Sequence, residues 1–366
     1  MSILTLNKLG GKLEDWRFRN AKYFILLLLT IVFLFNSCKK VTVSDKQETI
    51  SVLIDTDADF DDAMAIVYLL QHPGISVDGI TISGTGMSSP VPATKNVLGL
   101  TELAGKRNTP VATGDTIAIN SNNTCLRPAK WILAANNMLG IDLPVNPNPA
   151  NENGAVDFLI DFLVHTEKPV RFVALGPLTN LGRVLLHSPN LITKIESVYI
   201  MGGAVDVAGN LHSGGVDNNP YAEWNIFLDP HAADIVFKSG LDITLVPLDA
   251  TNKAPVTSLF LNRFSNEHIT PEADFVFEVL SKLTHAEDVP IYFWDPLLAA
   301  ISSSQNIATT ISYPITIITE EGSENGRTII DSVGGNSVNV CNNIHLNNFE
   351  NLFLDVLNGR DVEPGR

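Results

Sequence analysis

Ser51-Val-Leu-Ile-Asp-Thr-Asp-Ala-Asp-Phe-Asp-Asp-Ala-Met-Ala-Ile66 carries five aspartates in eight positions: Asp55, Asp57, Asp59, Asp61 and Asp62. A short apolar run, Val52 to Ile54, leads into them, and Ala63, Ile66, Val67 and Leu70 follow at helical spacing. The pattern predicts a strand, a tight turn and a helix start, with the acids gathered at the strand's carboxyl end. That many carboxylates repel one another unless a cation sits among them. Oxygen-only ligands on a loop favour a hard ion, Ca²⁺ or Mg²⁺. Helix capping is the competing explanation, since Asp59 or Asp61 suits an N-cap and acids suit a first turn. Capping accounts for one or two aspartates, not five.

Outward from this stretch, strand-like and helix-like segments alternate. Val77 to Ser83, Val170 to Leu175, Ser197 to Met201 and Ile243 to Pro247 read as strands. Ala93 to Leu103, Ala155 to Thr166 and Pro230 to Lys238 read as helices. The alternation predicts an α/β fold: an open, mainly parallel, doubly wound (Rossmann-like) sheet with helices on both faces. Ligands of such sheets bind beyond the carboxyl ends of the strands, where the aspartates already lie. From Ser312 to Val340 the pattern turns β-rich around Gly322, Gly326, Gly334 and Gly335, which predicts a terminal hairpin or edge strands. No linker rich in Pro, Gly and Ser divides residues 50–366, so one domain is expected there. Asp115 to Asn153 and Gly202 to Pro220 are long irregular stretches, and segments of that length serve either as lids or as surface insertions.

A chain of 366 residues, 45% apolar and 17% charged, suits a globular protein with a substantial core. Its net charge of −16 argues against a nucleic-acid partner, which needs clustered Lys and Arg. The first forty residues have a different character. Lys12, Arg17, Arg19 and Lys22 precede a 13-residue apolar run, Tyr23 to Phe35, broken only by Thr30. That run is short for a bilayer span and suits the core of a signal peptide. Leu34-Phe-Asn-Ser-Cys38 resembles a loose bacterial lipobox. Residues 1–38 are therefore expected to be a lipoprotein signal peptide, with Cys38 lipidated and residues 39–49 a polar tether. The domain would be exported and held at the membrane, facing the periplasm or the cell surface, through its lipid anchor only. A short uncleaved anchor would place it in the same compartment. Cys125 and Cys341 then remain, too far apart in sequence for a disulfide framework and without neighbours for zinc.

Asp55, Asp57, Asp61, Asp62 and Ala65 fit the pattern D-x-D-x-x-x-D-D-x-x-A without a gap. Ala174-Leu-Gly-Pro-Leu-Thr-Asn180, Tyr199-Ile-Met-Gly-Gly203, Ala222-Glu-Trp-Asn225 and Trp294-Asp-Pro296 follow in order. With these segments the chain, from about Ile50 to its C-terminus, resembles the inosine-uridine preferring nucleoside hydrolases. Haloacid-dehalogenase phosphatases share the D-x-D start but lack the adjacent acid pair and carry Thr where this chain has Asp59.

The resemblance implies calcium-dependent hydrolysis of the N-glycosidic bond of ribonucleosides to free base and ribose. It assigns Ca²⁺ to Asp57, Asp62, the carbonyl of Leu175 and Asp295. Asp57 would also be the general base, taking a proton from a metal-activated water. Asp61, Glu223 and Asn225 would meet the ribose hydroxyls, with Met201 beside them. Thr85 stands where the family often has an Asn. The family Asn that contacts the 5′-hydroxyl corresponds to Asn210, with Asp217, Asn218 and Asn219 as the other candidates in a longer loop. Pyrimidine- and inosine-cleaving members place a His acid immediately before the distal calcium aspartate. Here that residue is Trp294, which has no proton to give but a face to stack on a purine, as in the purine-specific branch. Trp131 would be the other half of that sandwich; core packing is the alternative for both. Purine nucleosides are the expected substrates, and a homo-dimer or homo-tetramer is left open. Two other functions compete: a lipoprotein that captures nucleosides or ribosides for uptake, and a phosphatase using Asp55 as nucleophile. The second lacks an evident downstream lysine or phosphate-cradling loop.

Overall fold

The computed structural model describes residues 49–286 and 290–362. The expected signal peptide, Cys38 and the tether up to Glu48 lie outside the described residues. Nine strands form one sheet: β1 (Ile50–Thr56), β2 (Ile75–Ile82), β3 (Val111–Thr113), β4 (Val170–Ala174), β5 (Ile195–Met201), β6 (Ile243–Val246), β7 (Ala308–Ile317), β8 (Thr328–Ile330) and β9 (Asn336–Ile344). Their spatial order is β3-β2-β1-β4-β5-β6-β9-β7-β8. β1 to β6 and β9 pair in parallel, while β7 runs antiparallel to both β9 and β8. The fold is the expected α/β type, mostly parallel.

The opening stretch explains why β1 lies inside the sheet. Val52, Leu53 and Ile54 are fully buried, Leu53 in one helical layer and Val52 and Ile54 in the other. Alternate side chains of a strand point to opposite faces, so a continuous apolar run suits a strand covered on both sides. Each such side chain contributes roughly 1.5–3 kcal/mol. One layer includes the helices Phe60–Gln71, Pro90–Leu103, Pro271–Ala286, Trp294–Ser303 and Leu346–Leu357. The other includes Ala155–His165, Thr179–His187 and Pro230–Phe237.

From β1 the chain moves outward through β2 to β3 and then returns to β4 on the other side of β1. This reversal opens a crevice at the carboxyl ends of β1 and β4, the usual ligand position in a doubly wound sheet. Asp55 pairs with Ala174 across it, and Leu175 N donates to Asp55 O at 2.8 Å. The aspartates therefore face the segment Leu175-Gly-Pro because of strand order.

One detail differs from the sequence expectation and another refines it. The helix after β2 begins at Pro90, because proline is tolerated in a first helical turn, where its missing N–H has no intrahelical partner anyway. The C-terminal β segment extends the main sheet: β9 lies between β6 and β7, and β8 forms the edge. Val338, Val340 and Cys341 of β9 are buried, whereas Thr309 to Ser312 of β7 are exposed, consistent with an inner and an outer position.

The two long segments carry short elements: helix Ala129–Asn136 in the first and a single 3₁₀ turn, Leu211–Gly214, in the second. Trp131 meets Trp224 edge to face at 5.8 Å in a small apolar cluster with Leu211, Val216 and Phe227. The two segments thus share one cover over the carboxyl end of the sheet. Among the described residues no helix is long and apolar enough to cross a membrane.

Candidate active site

Where β1 ends, the chain turns sharply. Ala58 adopts φ 56°, a left-handed conformation that residues with a Cβ rarely hold, and one that clusters at functional sites. Neighbouring bonds fix it: Ala58 N donates to Thr56 Oγ1 at 3.0 Å, and Asp57 N donates to Asp62 Oδ1 at 3.1 Å. The same Asp62 oxygen accepts from the Thr56 hydroxyl. Asp59 caps the helix Phe60–Gln71. One of the five aspartates is therefore a cap, as the competing explanation required, and the other four have other partners.

Asp57 lies between two glycines. A Cβ on Gly86 would fall 2.0 Å from Asp57 Cβ, and one on Gly176 would fall 2.9 Å from it. Only glycine leaves room for the carboxylate at either position. Met87 N donates to Asp57 Oδ2 at 2.8 Å. Arg127 Nη1 donates to the Gly86 carbonyl, and its positive charge opposes the rise that burial imposes on the Asp57 carboxyl.

Asp61, Asp62 and Asp295 each offer an oxygen within 4.8 Å of one another. Helix packing brings them together. The helix Phe60–Gln71 packs along Trp294–Ser303, and both carry these acids in their first turns. Two positive helix ends therefore converge on the carboxylates. That attraction is smaller than the cost of burial. Burial raises every acid of the group: Asp61 to about 7, and Asp62 and Asp295 well above the ordinary carboxylate range, with mutual repulsion adding to it. Burial likewise lifts Asp55 to about 7, despite bonds from Thr81 Oγ1 at 2.6 Å and Asn180 Nδ2 at 2.8 Å. Asp295 Oδ1 and Asp55 Oδ2 are buried without a partner. Buried carboxylates in such number, two of them with an orphaned oxygen, make a donor set that fits a hard divalent cation. Asp62 and Asp295 belong to the expected calcium set. The tight triplet contains Asp61 as its third member, while Asp57 acts on all three through its charge.

The remaining residues line up around this group. The Leu175 carbonyl accepts from Asn225 Nδ2 at 2.8 Å, and that amide also reaches the Met201 carbonyl at 3.2 Å. Asn225 therefore ties the ends of β4 and β5 together at the crevice. Glu223 was expected, with Asp61 and Asn225, to meet the ribose hydroxyls. The chain enters a helix at Trp224, and the Glu223 carboxylate caps it, accepting from Asn225 N at 2.9 Å, Ile226 N at 3.2 Å and Gly203 N at 2.9 Å. Its burial raises it to about 7 all the same. Asn210 Oδ1 accepts from Trp224 N at 3.1 Å. Asn219, another candidate for the 5′-hydroxyl, is buried and spends its side chain on Asn325, Tyr221 and Ala222. The Thr85 hydroxyl is buried and shared with Thr179 at 2.7 Å, and Thr179 passes the chain to Asp229. Trp294 is half-buried next to Asp295 and meets Tyr292 at 5.9 Å. Trp131 lies in the cover, against Trp224.

Gly86, Gly176 and Arg127 were not singled out from sequence. Glycines just beyond strand ends are a usable signal, because close approach there leaves no room for a Cβ. Arg127 gives none, since its place depends on how a long irregular segment folds.

Residues 52–351 match the family model for inosine-uridine preferring nucleoside hydrolases. The chain is 31% identical over 295 residues to the pyrimidine-specific ribonucleoside hydrolase RihA of Photobacterium profundum, covering 76% of this chain and 88% of that protein. Its fold is similar to a plant nucleoside hydrolase, with a TM-score of 0.74 and 27% identity over 84% of this chain and 99% of the other. It is also similar to the purine-preferring ribonucleoside hydrolase of Gardnerella vaginalis, with a TM-score of 0.72 and 26% identity over 84% and 98% of the two chains. The chain belongs to the inosine-uridine preferring nucleoside hydrolase family and is an N-glycosidase acting on ribonucleosides.

Proposed function

We propose that this enzyme cleaves purine ribonucleosides in preference to pyrimidine ones, in a calcium-dependent reaction with Asp57 as general base. The observation that carries the reading is the placement of Asp57, held by Met87 N–H between two glycines and beside the Asp61, Asp62 and Asp295 triplet. Asp62 and Asp295 would hold the ion together with Asp57 and the Leu175 carbonyl. When bound, calcium would supply positive charge to neutralise the carboxylates and to gather water and sugar hydroxyls.

The protein groups do the rest. Asp57 accepts the proton of the attacking water, while Asp61 and the Asn225 amide oxygen orient the ribose from below. N-glycosidic cleavage develops positive charge on the sugar, as glycoside hydrolysis does. Carboxylates fixed by the packed helices stabilise that charge without reorganising. The residue immediately before Asp295 is Trp294 and not a histidine, so help to the leaving base comes from stacking.

A stacked base is worth about 1–3 kcal/mol on an aromatic face, and about 1.4 kcal/mol is tenfold in rate. Trp294→Ala should therefore lower kcat/KM for inosine or adenosine about tenfold or more, and change ribose inhibition little. The measurement is release of reducing sugar from a nucleoside panel with calcium present. The similarity to RihA favours a second reading, pyrimidine preference. Efficient uridine cleavage, unchanged by Trp294→Ala, would establish that reading and discard the first.

We also propose export and lipid anchoring, supported by the run Tyr23 to Phe35 and by Cys38. Cys38→Ala should release the protein from the membrane fraction with loss of acyl label. Wild-type protein recovered soluble from the cytoplasm of its host would refute this.

A further inference from the structure

We propose that Arg127 is a positioning residue for Asp57: it clamps the turn that sets the carboxylate, and so couples the 115–153 segment to the base. The proposal rests on the assignment of Asp57 as base.

Residues 83–88 wrap the end of β1. Ser83 N donates to Thr56 O at 2.7 Å, Ser88 N to Asp57 O at 3.1 Å, and Ser88 Oγ to Ala58 O at 2.8 Å. In the middle of the turn, Gly86 lies flat against the Asp57 side chain and Met87 N–H holds its Oδ2. A displacement of residue 86 therefore moves the carboxylate or breaks that bond. The atom that fixes residue 86 from the outer side is its carbonyl oxygen, which accepts from Arg127 Nη1. Arg127 Nε donates to the Thr124 carbonyl at 2.9 Å, so the planar guanidinium bridges two backbone segments. A fork of donors with fixed geometry suits that task, and a lysine's single point does not.

The 115–153 segment does not need Arg127 to stay in place. Ile119 N reaches Asp229 Oδ2 at 2.8 Å, Asn123 Nδ2 reaches Phe227 O at 2.7 Å, and Trp131 packs on Trp224. Removing the guanidinium should therefore loosen the turn and leave the segment docked. A displacement of about 1 Å at a reacting group can cost on the order of a hundredfold in rate.

The test uses the full-length enzyme with calcium and its best nucleoside. Arg127→Ala should lower kcat by about tenfold to a hundredfold, with KM and Tm little changed. Added guanidinium should restore part of the rate, and Arg127→Lys should fall between. Because Arg127 acts through Asp57, the double variant with Asp57→Asn should lose no more than Asp57→Asn alone. An unchanged kcat, a rise in KM alone, a fall in kcat that merely follows loss of Tm, or additive losses in the double variant would each overturn the proposal. Full activity of Asp57→Asn by itself would remove the base assignment, and this proposal with it; a dead Asp57→Asn beside an active Arg127→Ala would remove this proposal only.

Discussion

Asp57→Asn should lower kcat at least about a hundredfold, the low end for a positioned acid or base, in protein that still folds and retains some of its metal affinity. The two side chains have the same shape, so the gap between Gly86 and Gly176 still accommodates it. Asn keeps one acceptor oxygen, and a flip of the amide turns that oxygen to Met87 N–H. What it cannot do is take a proton. About 2.7 kcal/mol of barrier is at issue, read at saturating calcium so that a weakened metal site does not account for it. Rates from single-turnover and steady-state assays, with Tm alongside, decide the matter. A variant within about fivefold of wild type would mean that another group accepts the proton, and Asp61 would be the next to test.

The site was legible in sequence to different depths. β1 and its acids could be read directly, since the apolar run and the aspartates are contiguous and a buried strand has a local signature. Asp295 was found only through the ordered set of motifs. In isolation it is an acid in the first turn of a helix, and the packing of Trp294–Ser303 along Phe60–Gln71 that brings it to Asp62 leaves no local trace. Glu223 was singled out for the ribose hydroxyls, but the bonds its carboxylate makes leave no local trace either. The helix begins at Trp224, so the first free amides of that helix capture the carboxylate. The place of β9 inside the sheet was equally hidden, because strand order is a tertiary choice that two similar apolar segments do not encode. Arg127 belongs with these: its partner is a backbone carbonyl forty-one residues away, and any residue type offers one.

Removing calcium should abolish turnover and should destabilise the protein more at pH 8 than at pH 5. In the metal-free fold Asp55 and Asp61 are raised from 3.8 to about 7, chiefly by burial, and Asp62 and Asp295 are raised well above the ordinary carboxylate range by the same cause. A carboxyl raised on folding holds its proton more tightly folded than unfolded. Its contribution is fully present below the unfolded value near 3.8 and is lost as pH rises through about 7. For one such group the loss amounts to about 4 kcal/mol, an upper figure where water reaches the site, as it does beside half-buried Asp61. Most carboxylates behave in the reverse way, stabilising as pH rises, so the sign is diagnostic. Calcium should cancel the effect by replacing the protons. At a hundredfold excess over its Kd it adds about 2.7 kcal/mol, several degrees in Tm for a domain of this size. Thermal melts of chelated and calcium-loaded protein at the two pH values, with metal analysis, give the result. Equal Tm with and without chelator at pH 8, in protein shown to contain no metal, would mean that the acid group folds without a cation. The four carboxylates would then have to share protons, and a site holding protons in place of calcium would have no charge left to stabilise a ribosyl cation.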